Sequence, residues 1–169
     1  MRDAPRAIVV CGVSGSGKTT VGMALARRLC VEFHDADDFH PPANIARMRA
    51  GVPLTDADRV PWLTRLRAHI DQQLDSGRSL VLACSALKAS YRDRLGIDQR
   101  RVVSVFLEGA PRMVAERLAA RQHAYMPATL LDSQFAALEV PVDGIRLSIA
   151  RTPDELVTDI LEQLAGYPR

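Results

Sequence analysis

Apolar residues in this chain alternate between short unbroken runs and four-residue periodicities. Ala7-Ile8-Val9-Val10-Cys11 is continuous and β-branched, and it stops at Gly12, the pattern of a strand covered on both faces. From Lys18 the period changes. Val21, Leu25 and Leu29 recur every four residues with Arg27 and Arg28 between them, which predicts an amphipathic helix. Val31-Glu32-Phe33-His34 reads as a weaker strand entering the acidic turn Asp35-Ala36-Asp37-Asp38. The stretch from Pro41 to Trp62 is rich in proline and charge, poor in helical period, and reads as an unusually long connection. A helix then starts near Pro61, with Leu63, Leu66, Ile70 and Leu74 on one face and Gly77 as its stop. Residues 79–84 and 102–107 are further buried strands. A helix from Pro111 carries Val114 and Leu118, another spans 129–138, and a short strand covers 145–149. Thr152-Pro153-Asp154-Glu155 supplies the cap, first-position proline and early acids of a helix start. Strand and helix alternate with no hairpin dipeptide such as Asn-Gly. The expected architecture is therefore α/β, a mostly parallel five-stranded sheet with helices on both faces and ligands at the strands' carboxyl ends.

Composition narrows this picture without changing it. The chain has 169 residues and no repeat, low-complexity tract or linker, so it reads as one domain, 1–169, able to bury its own core. Hydrophobic residues at 47% and charged residues at 25% exclude intrinsic disorder. The 22 Lys and Arg are scattered among 20 Asp and Glu, for a net charge of +2. That balance argues against nucleic acid or a membrane as partner, though not against a local anion site. No apolar run approaches the ~20 residues of a bilayer crossing, and the first strand begins too close to Met1 for a signal peptide. Cys11, Cys30 and Cys84 are odd in number and lack CxxC spacing, as expected for buried free thiols in a reducing compartment. The expected location is cytoplasmic.

The chemistry begins at Gly12-Val13-Ser14-Gly15-Ser16-Gly17-Lys18-Thr19, which fits GxxxxGK[ST] and lies between a strand and a helix. Its glycines let backbone N–H groups turn inward around a polyphosphate, and the next helix adds the positive end of its dipole. Lys18 can reach the β- and γ-phosphates of a bound nucleotide, and the Thr19 hydroxyl can hold Mg²⁺. Thr20 completes the expected ATP-binding set. No Asn-Lys-x-Asp segment is present to read guanine, and the 79–84 strand ends Ala83-Cys84-Ser85 without the carboxylate of an ATPase motor. The acids instead follow the second strand, at Asp35 and Asp37. On an extended segment, residues two apart in sequence and separated by Ala36 suit a split of roles between metal and acceptor hydroxyl; an acidic turn that merely caps a helix is the plainer reading. The 41–62 segment adds arginines suited to gripping a carboxylate, or else to pairing with Asp56 and Asp58 in solvent.

The residues Asp35-x-Asp37, His40-Pro41, Asn44-Ile45, Met48, Gly51, Pro53-Leu54, Asp56-x-Asp58-Arg59 and Pro61-Trp62-Leu63 resemble the acceptor segment of the gluconokinases. These are small P-loop kinases related to the shikimate and nucleoside-monophosphate kinases. Cys84-Ser85-Ala86-Leu87-Lys88, Tyr91-Arg92-Asp93, Ser133-Gln134-Phe135 and Leu138-Glu139 match as well, so the similarity runs from about residue 9 to 141. The resemblance implies a three-layer P-loop fold and Mg²⁺- and ATP-dependent phosphorylation of D-gluconate to 6-phospho-D-gluconate. Carried over by position, Lys18 and Thr19 serve ATP and Mg²⁺, and Asp35 supports the metal through water. Asp37 orients or deprotonates the sugar hydroxyl. The acceptor segment, about 35–63, contributes His40, Arg47 and Arg59, with Lys88 and Gln134 also expected at the substrate. The resemblance further implies a homodimer.

Arg117 and Arg121 are four residues apart, hence on one helical face, and resemble the lid arginines (about 117–130) that neutralise phosphate charge in related kinases. Arg117 is expected at ATP and Arg121 among the catalytic residues; solvated helix arginines are the alternative. The lid departs from the usual Arg-x-Gly-His-aromatic-Met pattern, reading Arg121-Gln122-His123-Ala124-Tyr125-Met126. Two other functions are compatible with the chain: a kinase of another small anionic acceptor such as shikimate, and a regulatory module that holds ATP without transferring phosphate.

Overall fold

The computed structural model of the protein describes residues 4–121 and 128–167, the side chains of Ala128 and Thr129 excepted. The lid departure at His123-Ala124 lies outside the described residues. Five strands form a single sheet: β1 (Ala7–Cys11), β2 (Glu32–Asp35), β3 (Leu80–Ala83), β4 (Val102–Glu108) and β5 (Ile145–Ser148). Their order is β2-β3-β1-β4-β5, and every pair is parallel rather than mostly so. The helices are α1 (Lys18–Leu29), α2 (Pro42–Arg49), α3 (Asp56–Asp75), α4 (Ala89–Leu95), α5 (Pro111–Ala119), α6 (Ala128–Ala137) and α7 (Pro153–Ala165).

The unbroken apolar run of β1 has a simple cause, because its alternate residues serve two different cores. Ile8 and Val10 pack with Val21 and Leu25 of α1 and with Leu156 and Ile160 of α7. Ala7, Val9 and Cys11 pack on the other face with Leu63, Leu66 and Ile70 of α3 and Leu95 of α4. The three layers follow from these two buried faces. The connection after β1 leaves toward one face through α1, and that after β3 leaves toward the other through α4. The carboxyl ends of these adjacent strands therefore open a crevice.

The 41–62 segment corrects the reading from sequence. It is no long irregular loop: it contains α2, and α3 begins at Asp56 rather than near Pro61. The start of α3 is a capping box, with the Thr55 hydroxyl accepting from the Asp58 N–H and the Asp58 carboxylate accepting from the Thr55 N–H. Asp in place of the usual Glu or Gln hid this signal. Pro61 lies inside the helix, where it forgoes one N–H donor. The thiols also need correction. Cys11 and Cys84 are buried, but Cys30 is exposed in a left-handed turn at the end of α1.

Candidate active site

The crevice is a cleft of about 250 Å³. Ser14, Gly15, Gly17, Lys18 and Thr19 form one wall, Asp35 and Asp37 another, and Ala83-Cys84-Ser85 the floor, with Leu118 and Arg121 on the remaining side. Three separate strand ends thus deliver the groups read from sequence to a single space.

The phosphate loop is built for backbone rather than side-chain contact. Gly12 has φ +145°, and a Cβ there would lie 2.7 Å from Ser16 Oγ and 2.9 Å from the Leu107 carbonyl. Gly15 has φ +79°, and a Cβ there would lie 2.6 Å from Leu118 Cγ. Only glycine meets both demands without displacing a neighbour. Lys18 Nζ donates to the Val13 carbonyl at 3.0 Å, drawing the loop around its own ammonium. Burial lowers the pKa of Lys18, opposed by the nearby Asp37 and Asp35 carboxylates. Gly17 is the left-handed N-cap of α1 and Lys18 its first residue, so the helix N-terminus opens into the cleft. The loop fits a nucleotide polyphosphate. Thr19 and Asp35 supply the hard oxygens suited to a magnesium ion that keeps several of its waters.

Asp35 and Asp37 do not lie on one extended segment as the sequence suggested. Asp35 ends β2 and its carboxylate accepts the Asp37 N–H at 3.0 Å, capping a single 3₁₀ turn, Ala36–Phe39. The capping reading holds, and the same turn places both acids on the cleft lining. The Asp37 side chain is 85% exposed, yet the partial desolvation of its place in the cleft and the like charge of Asp35 push its pKa up. His40 stands behind Asp37, its Nε2 3.9 Å from Asp37 Oδ1. Burial and the Arg59 charge lower the pKa of His40, so its ring is neutral at pH 7 and the contact is no ion pair. It stacks on Trp62 at 4.3 Å between centroids, and the Trp62 indole N–H donates to the Ala36 carbonyl at 2.7 Å. Trp62 is the packing anchor of the acidic turn. Burial raises the pKa of the Cys84 thiol, on the floor, and pushes that of Cys11, at the end of β1, up to about 12. Both are protonated and inert at neutral pH.

The remaining basic residues stand in clusters next to the cleft rather than on its walls. Arg47 Nε lies 3.5 Å from Asp58 Oδ2. Lys88 Nζ lies 2.9 Å from both oxygens of Asp56, whose carboxylate also accepts the Tyr91 hydroxyl. The Tyr91 and Lys88 hydrogen bonds hold Asp56 below the usual carboxylate range. This anion explains a cation at the N-terminus of α4, where the helix dipole alone disfavours it. Arg59 donates to the Leu54 carbonyl at 2.5 Å and lies over the Tyr91 ring at 5.7 Å. Among the described residues no carboxylate is within ion-pair distance of Arg59, in contrast to Arg47 and Lys88.

Three placements differ from the sequence reading. Arg121 lines the cleft but lies past the end of α5, so it does not share a helical face with Arg117. The Arg117 guanidinium donates to the Ile149 carbonyl beside Gly17 and is not on the cleft wall. Gln134 is not on the acceptor side: its Oε1 accepts the Ser14 N–H at 2.8 Å and its Nε2 donates to Ser14 Oγ at 2.9 Å. Sequence reasoning missed Asp56 and Tyr91 as the partners of Lys88, and Asn44, whose amide donates to the Asp58 carbonyl at 2.9 Å and contacts His40 Nδ1 at 3.3 Å. The Asn44 and Asp56 matches within the acceptor block were the available signal.

Residues 8–141 match the AAA domain family. A shikimate kinase from Bacteroides thetaiotaomicron, 18% identical, superposes with a TM-score of 0.67 over 95% of this chain and 98% of its own, which shows the shared fold alone. The gluconokinase of Sinorhizobium meliloti 1021 superposes with a TM-score of 0.83 at 43% identity, covering 97% of this chain and 94% of its own. The Gluconobacter oxydans gluconokinase is 46% identical over 160 residues, 93% of this chain and 90% of that one. With such identity across nearly the whole of both chains, this protein belongs to the gluconokinase family.

Proposed function

We propose that the protein transfers the γ-phosphoryl group of ATP to the terminal hydroxyl of D-gluconate, giving 6-phospho-D-gluconate and ADP. The observation that carries this reading is the meeting of Lys18, Asp37 and Arg121 in one cleft, in a chain of the gluconokinase family. The N–H groups of the loop and Lys18 hold the nucleotide phosphates. Thr19 and Asp35 would hold Mg²⁺, Asp35 through water; when bound, the ion supplies further charge neutralisation. Asp37 orients the acceptor hydroxyl and takes its proton as the hydroxyl oxygen bonds to the γ-phosphorus. The bond from that phosphorus to the β,γ-bridging oxygen breaks, and ADP leaves. Lys18 and Arg121 offset the negative charge on the phosphoryl oxygens during transfer.

Gluconate is a polyhydroxylated monoanion, so its site needs hydrogen-bonding groups along its length and a cation at one end. Arg59 is the strongest candidate for that cation, because the charges of Arg47 and Lys88 already have carboxylate partners. Arg59→Ala is expected to raise the gluconate KM by about 10- to 100-fold, the range of a lost charge-assisted hydrogen bond. The ATP KM should stay unchanged, and Arg47→Ala should raise the gluconate KM less. Steady-state kinetics on the two variants decides this, and the reverse order would reassign the anchor. The reading as a whole is tested by an acceptor panel with ATP and Mg²⁺. Gluconate should be the preferred acceptor. Faster turnover of shikimate would overturn the substrate assignment, and tight ATP binding without ADP formation would favour a regulatory module.

A further inference from the structure

We infer that the end of α6 and the residues after it form a strap that couples the ATP half of the site to the acceptor half, with Gln134 and Glu139 as positioning residues. Gln134 grips Ser14 through an acceptor and a donor at once. The amide of Gln is suited to this, because one end takes the Ser14 N–H while the other satisfies its hydroxyl. Five residues on, the Glu139 N–H donates to the Leu87 carbonyl at 2.9 Å. The Glu139 carboxylate accepts the Ala89 N–H at 2.6 Å. This supplies α4 with the cap that the Lys88 side chain does not provide. Leu138, between the two grips, packs against both hydrophobic cores.

The two ends of the strap therefore hold the phosphate loop and the Ser85-to-Lys88 turn, which carries Lys88 toward Asp56. That turn is a place where position must be imposed. Ala86 adopts φ +44°, an unfavourable conformation for a residue with a Cβ. The Ala86 and Leu87 carbonyls are also bound by the Arg92 guanidinium, at 2.9 and 3.2 Å. A direct joint already exists at the base of the loop, where the Gly12 N–H donates to the Ser85 carbonyl at 3.2 Å. The strap adds a second joint, and two joints fix an orientation that one leaves free to pivot. Since phosphoryl transfer depends on the alignment of donor and acceptor, each substrate should sense the other through it.

This inference rests on the reading of the site as an ATP:gluconate kinase. It is tested on the full chain with Gln134→Ala, Glu139→Ala, the double variant and Glu139→Gln, which keeps an acceptor oxygen for the Ala89 N–H. Gluconate affinity is measured by calorimetry with and without a non-hydrolysable ATP analogue and Mg²⁺, alongside kcat and thermal unfolding. In the parent, the analogue should tighten gluconate binding by about fivefold or more, the lower end of ordinary coupling between sites. Either alanine variant should bring that factor close to one while binding each ligand alone nearly as the parent does. The double variant should be no worse than the singles, because one break opens the strap, and Glu139→Gln should retain the coupling. Parental coupling in both alanine variants, additive losses in the double, or a uniform fall that follows only the unfolding temperature would overturn the strap while leaving the kinase reading intact. A parent enzyme that turns gluconate over without any coupling would do the same. A parent that does not phosphorylate gluconate would overturn the kinase reading, and the strap with it.

Discussion

Lys18→Ala is expected to lower kcat by about 10²- to 10³-fold, the loss seen when a preorganised donor to developing charge is removed. The ammonium lies in a cleft that also holds Asp35 and Asp37, and the polyphosphate brings further negative charge. With alanine, two carboxylates face the phosphates with only Arg121 of the cleft-lining residues as counter-charge. The Val13 carbonyl also loses its donor, so the loop loses an internal tie together with its charge. Interactions that strengthen as the phosphoryl group moves appear in kcat, whereas those equal in ground and transition states appear only in KM. The split between these parameters, with thermal unfolding to show that the variant folds, is the deciding measurement. A raised ATP KM with kcat unchanged would reduce Lys18 to a binding residue.

Asp37→Asn carries the second large effect, a loss in kcat of about 10²- to 10⁴-fold, the usual contribution of a positioned acid or base. Its sign with pH follows from the raised pKa of this group. A protonated Asp37 cannot accept the hydroxyl proton, so activity should rise with pH through an apparent pKa above the usual carboxylate range. Asp35→Asn, which removes the like charge, should move that limb to lower pH. Stability should run the other way. The folded state binds this proton more tightly than the unfolded chain, so the stabilising contribution is complete below the unfolded-state pKa. It is lost as pH rises through the folded-state value. Asp37→Asn, uncharged throughout, should therefore melt slightly higher than the parent at pH 7, by a small margin because the side chain is largely exposed, with the difference closing toward acid pH. Such a gain on losing a charge held at a cleft is the common trade between activity and stability. A variant with full activity and an unchanged acid limb would place the base elsewhere.

These two residues were legible in the sequence to different degrees. Lys18 stands in a motif whose spacing states its own geometry, because a strand, a glycine loop and a helix start are all local. Asp37 could be read only as one of two acids in a turn. The 3₁₀ turn that brings Asp37 onto the same wall as Asp35 is held by the Asp35 cap and by the Trp62 bond to Ala36, which spans 26 residues. The start of α3 was misplaced because a proline suggested a first helical position, while the true signal, Thr55 with Asp58, used the less usual acid. Gln134 was placed with the substrate on resemblance. A helical glutamine carries no mark of its partner, and Ser14 lies 120 residues away.

The sequence by itself determined the alternation of strand and helix, the two-faced burial of β1, the phosphate loop and the helix capped at Thr152. Each of these depends on backbone preference, side-chain period or capping within a few residues. Tertiary structure alone decided the strand order, the entry of Arg121 into the cleft from beyond α5, the pairing of Lys88 with Asp56, and the tie between Gln134 and Ser14. Those contacts join groups far apart along the chain, and local preferences hold no information about which distant partner a side chain will meet until the two hydrophobic cores have closed around the sheet.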